Sequence, residues 1–99
     1  MSTWAYLIIF NDKLGTRSDV QAFLDTLPEV PYWYGCMPNS VFFTATVSAG
    51  YISDKVKAKF GTGEGQRFFI TEVHSDRQGW MPKSVWHLVN NPESPRFSE

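Results

Sequence analysis

The sequence is short of cysteine, of net charge and of long apolar runs. A single Cys36 among 99 residues cannot form an intrachain disulfide. No Cys/His spacing around it matches a structural zinc site, which leaves the reading of a buried free thiol. No stretch approaches the roughly 18 consecutive apolar residues that cross a bilayer. Charged residues begin only at Asp12, with no basic leader pattern before it, so the expected address is cytoplasmic and no membrane partner is expected. A formal net charge of −1 gives no general attraction to phosphate backbones, and charge therefore argues against a nucleic-acid partner. Lys55, Lys57 and Lys59 are the one basic run; at about 100° per residue they fan around a helix as a solvated face. Repeats, linkers and low-complexity blocks are absent too. Residues 1–91 are expected to form a single domain, with 92–99 as a loose tail that only Phe97 is able to dock.

What the chain has in quantity is aromatic surface, 16% of residues with four tryptophans. Rings bury roughly 150–250 Å² each, more than one small core easily hides. Trp4 to Phe10 is apolar on both parities of a zigzag, the pattern of a strand covered front and back. Ser18 with Gln21 fits a capping box for a helix carrying Val20, Phe23, Leu24 and Leu27, and Pro28 stops it. Tyr32 to Tyr34 reads as a second, aromatic strand ending near Gly35. Ser40 to Val47 alternates, with Val41, Phe43, Ala45 and Val47 on one side and Phe42, Thr44 and Thr46 on the other. Ser48 caps a second helix with Ala49, Ile52, Val56 and Phe60 on its apolar side and Gly61 at its left-handed end. Gly61, Gly63 and Gly65 follow a helix and lack a Lys-Ser/Thr ending, so they form a loop and not a phosphate cradle. Arg67 to Val73 is the last strand, and a short helix from near Pro82 presents Val85, Trp86, Leu88 and Val89.

Strand, helix, strand, strand, helix, strand predicts an α+β, ferredoxin-like βαββαβ sandwich: a four-stranded antiparallel sheet, two helices on one face and a short extra C-terminal helix. The first strand is assigned Ala5, Leu7 and Ile9 toward the helices. That assignment leaves Tyr6, Ile8, Phe10 and Asp12 on the open face, beside Phe42 and either Phe68 or Phe69. Such a face exposes on the order of 600 Å² of apolar surface, at the upper end of what monomers tolerate. Covering it gains up to ~15 kcal/mol per subunit against association costs of similar size. A homodimer with Tyr6, Ile8, Phe10 and Phe42 at the interface is therefore expected, and binding of a ligand or of a different protein partner is the other use of the same rings.

Tyr6-Leu7-Ile8-Ile9-Phe10-Asn11-Asp12 resembles the first strand of the small CRISPR-associated adaptation subunit and of its virulence-associated protein D and SinR-like relatives, in which an apolar strand ends in aspartate. Gly35 followed by Ser40-Val41-Phe42 is similar to the Gly and Ser-Val-Phe ahead of their third strand, and Trp80 and Trp86 are closer to the SinR-like branch. The resemblance implies a ferredoxin-like homodimer. In some members it also implies a magnesium-dependent ribonuclease or deoxyribonuclease, with the strand-end aspartates of two subunits sharing one ion, a role that falls here on Asp12 alone. Where those relatives place basic and amide residues before Ser-Val-Phe, this chain has Met37, Pro38 and Asn39. The residues themselves favour Asp12 as a loop or turn carboxylate after a strand.

Other constellations are thinner. His74, Ser75 and Asp76 are immediate neighbours and cannot line up as a hydrolase triad. His74, Asp76 and His87 gather around a metal only if the last helix folds back. Glu72, on the parity of Phe68 and Ile70, reads either as a base near an apolar face or as an edge charge against strand addition. Tyr6, Phe10 and Phe42 have the rings of an RNA-stacking platform without its basic residues. The expectation is a non-catalytic protein that self-associates through its sheet, with no cofactor; magnesium enters only with the nuclease reading.

Overall fold

In the computed structural model, which describes residues 2–96, strand β1 (Trp4–Phe10) lies inside a four-stranded antiparallel sheet. The other elements are α1 (Arg17–Asp25), β2 (Tyr32–Met37), β3 (Ser40–Ala45), α2 (Ala49–Phe60), β4 (Phe68–Glu72) and α3 (Lys83–Asn90). Strand order is β2-β3-β1-β4, which gives the ferredoxin-like α+β arrangement with β1 and β3 central. Ile8 faces Val41 across one ladder and Ile70 across the other.

Local chemistry sets the boundaries. The first helix is capped by Thr16, two residues before the Ser18 expected: the Asp19 N–H donates to Thr16 Oγ1 (3.1 Å), and the Thr16 N–H donates to Asp19 Oδ2 (2.9 Å). Aspartate closes this box as glutamate does elsewhere, so a search for a Glu or Gln partner passes over it. Hydrogen bonding to the Asp19 carboxyl from the Thr16 backbone N–H first, and from the Thr16 side chain second, holds it below its ordinary value of 3.8. A carboxylate depressed in the folded state stabilises above that ordinary value and stops doing so as pH falls through the lower folded one. We therefore expect Asp19→Ala to lower the urea midpoint at neutral pH. The gap to wild type should close as pH is taken below the ordinary carboxylate value, and Thr16→Ala should cost about 1 kcal/mol. The second helix starts at Ser48, whose hydroxyl accepts from the Tyr51 N–H (3.2 Å), and ends at Gly61, at φ 86°.

The main core lies between the sheet and the two long helices. It joins Tyr6, Ile8 and Phe10 of β1 to Val41, Phe43 and Ala45 of β3, Val20 and Leu24 of α1, and Ile52 and Val56 of α2. This reverses the faces expected from the sequence. Tyr6, Ile8 and Phe10 lie beneath helices of their own chain, at 4%, 0% and 7% exposure, so they form no open face. The uniformly apolar side of β3 belongs under the helices, and the register Tyr6↔Phe43, Ile8↔Val41 takes the same parity of β1 with it. The Tyr6 ring stacks on Phe43 (5.4 Å between centroids), and its hydroxyl donates to the Val47 carbonyl (2.9 Å), so its one polar atom is satisfied.

Helix α3 docks on the opposite face. Leu88 and Val89 cover Ala5, with Tyr32, Tyr34, Phe42, Val73 and Trp86 packed around them. Phe42 is thus half-buried against the chain's own last helix and does not stand free. The β2 strand runs past Gly35 to Met37 through a bulge between Tyr34 and Met37. A β-carbon on Gly35 would lie 2.1 Å from Gln21 Nε2 and 3.0 Å from Arg17 Cδ, so a larger residue at this crossing of β2 and α1 would have to displace flexible side chains of the helix. Cys36, within the bulge, is half-buried where the sequence suggested full burial. No helix among the described residues is long and apolar enough to cross a membrane.

Candidate functional site

Because α3 is only eight residues long, it covers one end of its face and leaves the other end open. The open end is a cross-strand row in which Ile9 stands opposite Ser40 of β3 and Phe69 of β4, and Met37 of β2 stands opposite Ser40. Residues directly opposite in antiparallel strands point to the same face, so Met37, Ile9 and Phe69 line up across the sheet. They are 42%, 47% and 63% exposed. In the next row Leu7, opposite Phe42, is half-buried. The exposed apolar area of this row comes to roughly 300 Å², the lower end of the patches that soluble proteins use for contact. Ile9 was expected beneath the helices. It is instead the centre of the free surface, and Met37 was not expected to contribute.

Asp12 lies just beyond the end of β1, exposed, and accepts a hydrogen bond from Asn39 Nδ2 (2.9 Å). Asn39 occupies the left-handed corner of the β2–β3 turn at φ 63°, where asparagine is tolerated. A cleft of about 320 Å³ opens here between Asp12, Pro38, Asn39 and the first turn of α1, with Arg17 as its cation. Magnesium takes hard oxygen ligands, usually one or two carboxylates together with several waters and substrate phosphates. Among the described residues Asp12 is the only carboxylate lining this cleft, so one subunit brings a single carboxylate to any cation bound here.

Asn11, beside it, had no role in the sequence reading and proves to be the tie between two loops. Its Oδ1 accepts from the Leu14 and Arg67 N–H groups (3.2 and 3.1 Å), and its Nδ2 donates to the Gly65 carbonyl (2.9 Å). Asparagine after a strand is a local Asx-turn signal, but the contact with residues 65 and 67 is non-local and leaves no trace in spacing.

The remaining candidates are dispersed. His74 Nδ1 is 3.8 Å from Glu72 and exposed, whereas His87 Nε2 is 2.9 Å from the Ser94 carbonyl. Among the described residues no group of three or more His, Cys, Asp or Glu is placed to hold a metal ion. Glu72 stands opposite Tyr6. Burial first, and the Glu72 charge second, push the Tyr6 hydroxyl above its ordinary value of 10. The three lysines of α2 diverge as their spacing requires: Lys55 sits over the Tyr51 ring (5.4 Å), Lys57 lines a cleft beside β4, and Lys59 faces Asp19. The Arg96 guanidinium lies 5.1 Å from the centre of the Tyr32 ring, so the segment after α3 is held against β2 at least that far. The docking expected of Phe97 falls outside the described residues. Trp80, before α3, is 99% exposed.

Comparison of the chain with protein-family models, with curated proteins and with solved structures finds no match in any of the three.

Proposed function

We propose that this is a non-catalytic, sheet-based association protein, and that its partner is a second copy of itself. The observation that carries the reading is the Ile9–Phe69 pair, two large apolar side chains directly opposite one another on the uncovered end of a central sheet. A surface phenylalanine at this exposure, beside an exposed isoleucine and in one row with Met37, forms a patch of the size that is often functional. Burying roughly 300 Å² on each copy contributes about 7 kcal/mol per subunit, against association costs of about 4–15 kcal/mol. The balance favours a weak dimer, with dissociation in the micromolar range and a polar rim completing the contact.

Light scattering over a dilution series tests this. Wild-type protein should move toward twice the 11.3 kDa chain mass as concentration rises. Phe69→Ser should remain monomeric over the same range, with its far-UV spectrum unchanged because the side chain packs on no helix. A wild-type chain that stays monomeric throughout would end the proposal, and a heterologous protein binding the same row would then be the reading to pursue.

A further inference from the structure

Strands β2 and β4 are the two edges of the sheet, and they are not equally protected. The β2 edge is bulged and lies between Pro31 and Pro38, features that discourage an incoming strand. The β4 edge, Phe-Phe-Ile-Thr-Glu, has no proline and pairs with β1 in unbroken register from Phe68 to Glu72. The Asn11 N–H donates to the Arg67 carbonyl (3.1 Å) and the Val73 N–H donates to the Ala5 carbonyl (2.9 Å). Backbone groups alternate in direction along a strand, so residues 67, 69, 71 and 73 bond to β1, while the N–H and C=O of Phe68, Ile70 and Glu72 point outward from the sheet. Above this edge a cleft of about 550 Å³ separates β4 from α2. Its helix wall is low, made by Ala49, Gly50 and Ser53, and among the described residues its charged lining is Lys57 and Arg67, with no carboxylate.

We propose that two copies of this chain join at this edge, β4 against β4, antiparallel and centred on Ile70. The inference rests on the self-association proposed above but places the contact at the β4 edge, so that Phe69 of the exposed row enters the seam while Met37, on the opposite edge strand, does not. In this register Ile70 faces Ile70 of the second copy and Phe68 faces the second copy's Glu72, so each outward N–H meets an outward carbonyl and about six backbone hydrogen bonds form. The charges agree as well. Chain direction reverses between α2 and β4, which brings Lys57 near the Phe68 end of the cleft. Pairing delivers the other copy's Glu72 to that end, and the twofold axis repeats the contact. A carboxylate on an edge strand repels most incoming strands; here it selects the one register that meets a cation. On the other face Phe69 stands opposite the second copy's Thr71 and diagonal to its Phe69, within the reach of aromatic rings. The exposed ring thereby becomes the seam of an eight-stranded sheet.

Amide hydrogen exchange, followed residue by residue at low and high protein concentration, tests the geometry on the unmodified chain. Exchange at Phe68, Ile70 and Glu72 should slow at least tenfold as the mass doubles, while Phe69, Thr71 and Val73 are protected at both concentrations. Glu72→Lys should weaken the dimer about tenfold, because two exposed ion pairs are reversed at once, and adding Lys57→Glu should bring affinity back to within about threefold of wild type. A dimer in which the Phe68, Ile70 and Glu72 amides exchange as they do in the monomer would overturn edge pairing and leave self-association through the face standing. A charge swap that restores nothing would overturn this register. A chain that never dimerises would overturn both proposals.

Discussion

Ile8→Ala is expected to destabilise the fold by about 2–5 kcal/mol, whereas Ile9→Ala, one residue on, should cost less than about 1 kcal/mol. The two side chains are the same and belong to the same strand, but they point to opposite faces. Ile8 is 0% exposed, between Val41 and Ile70 and beneath the two long helices, whereas Ile9 is 47% exposed. Truncating Ile8 loses its transfer free energy and leaves a cavity that the flanking strands are not free to close, because both are held in the ladder. For a domain of about 100 residues that loss is a shift of roughly 10–30 °C in melting temperature, a large part of a total stability of about 5–15 kcal/mol. Urea and thermal melts of the two variants measure it. Equal costs, or a larger one for Ile9→Ala, would mean that the faces are assigned the wrong way round.

Leu88→Ala should have the second large effect, and a different kind of effect. Helix α3 has eight residues and no side-chain cap at its Pro82 start, too short to persist without a surface beneath it. Leu88, fully buried, anchors it over Ala5 and Phe42 with Val89 alongside. Removing the anchor should cost about 2–5 kcal/mol, first as loosening of α3 from the sheet and only then as loss of the main core. The signature is early loss of amide protection in residues 83–90, a changed near-UV signal from Trp86, and binding of a hydrophobic dye to the newly uncovered Ala5 and Phe42, all below the temperature at which the sheet melts. Loss of the whole fold in one step would show that α3 and the main core are a single cooperative unit.

The fold was legible because its signals are local and repeated. A doubly apolar first strand, clean alternation in Ser40 to Val47, Ser48 and Gly61 bounding α2, and Pro82 opening α3 each fix an element without knowledge of its neighbours. The face assignment was not legible in β1, because a strand apolar on both parities carries no information about which side takes two helices. The information sat in β3, where Val41, Phe43 and Ala45 are uniformly apolar and Phe42 alternates with threonines. It transfers to β1 only through the pairing register, and a one-residue slip in that register reverses the answer. The same step misplaced the open face: Tyr6, Ile8 and Phe10 were put there in place of Ile9, whereas Phe69, one of the two phenylalanines expected on it, is exposed. Asp12 was found at the strand end where the sequence put it, but its neighbours Arg17 and Asn39 come from elements 5 and 27 residues further along the chain, and the cleft they form with it has no sequence signature.

The proposed self-association turns on one surface, and hydroxyl-radical footprinting of the side chains at low and high protein concentration examines it directly. Ile9 and Phe69 should be modified in dilute protein and Phe69 shielded in concentrated protein, with Tyr6, Phe10 and Phe43 shielded in both. Phe69 modified to the same extent at both concentrations, or Tyr6 and Phe10 modified in the dilute chain, would contradict it.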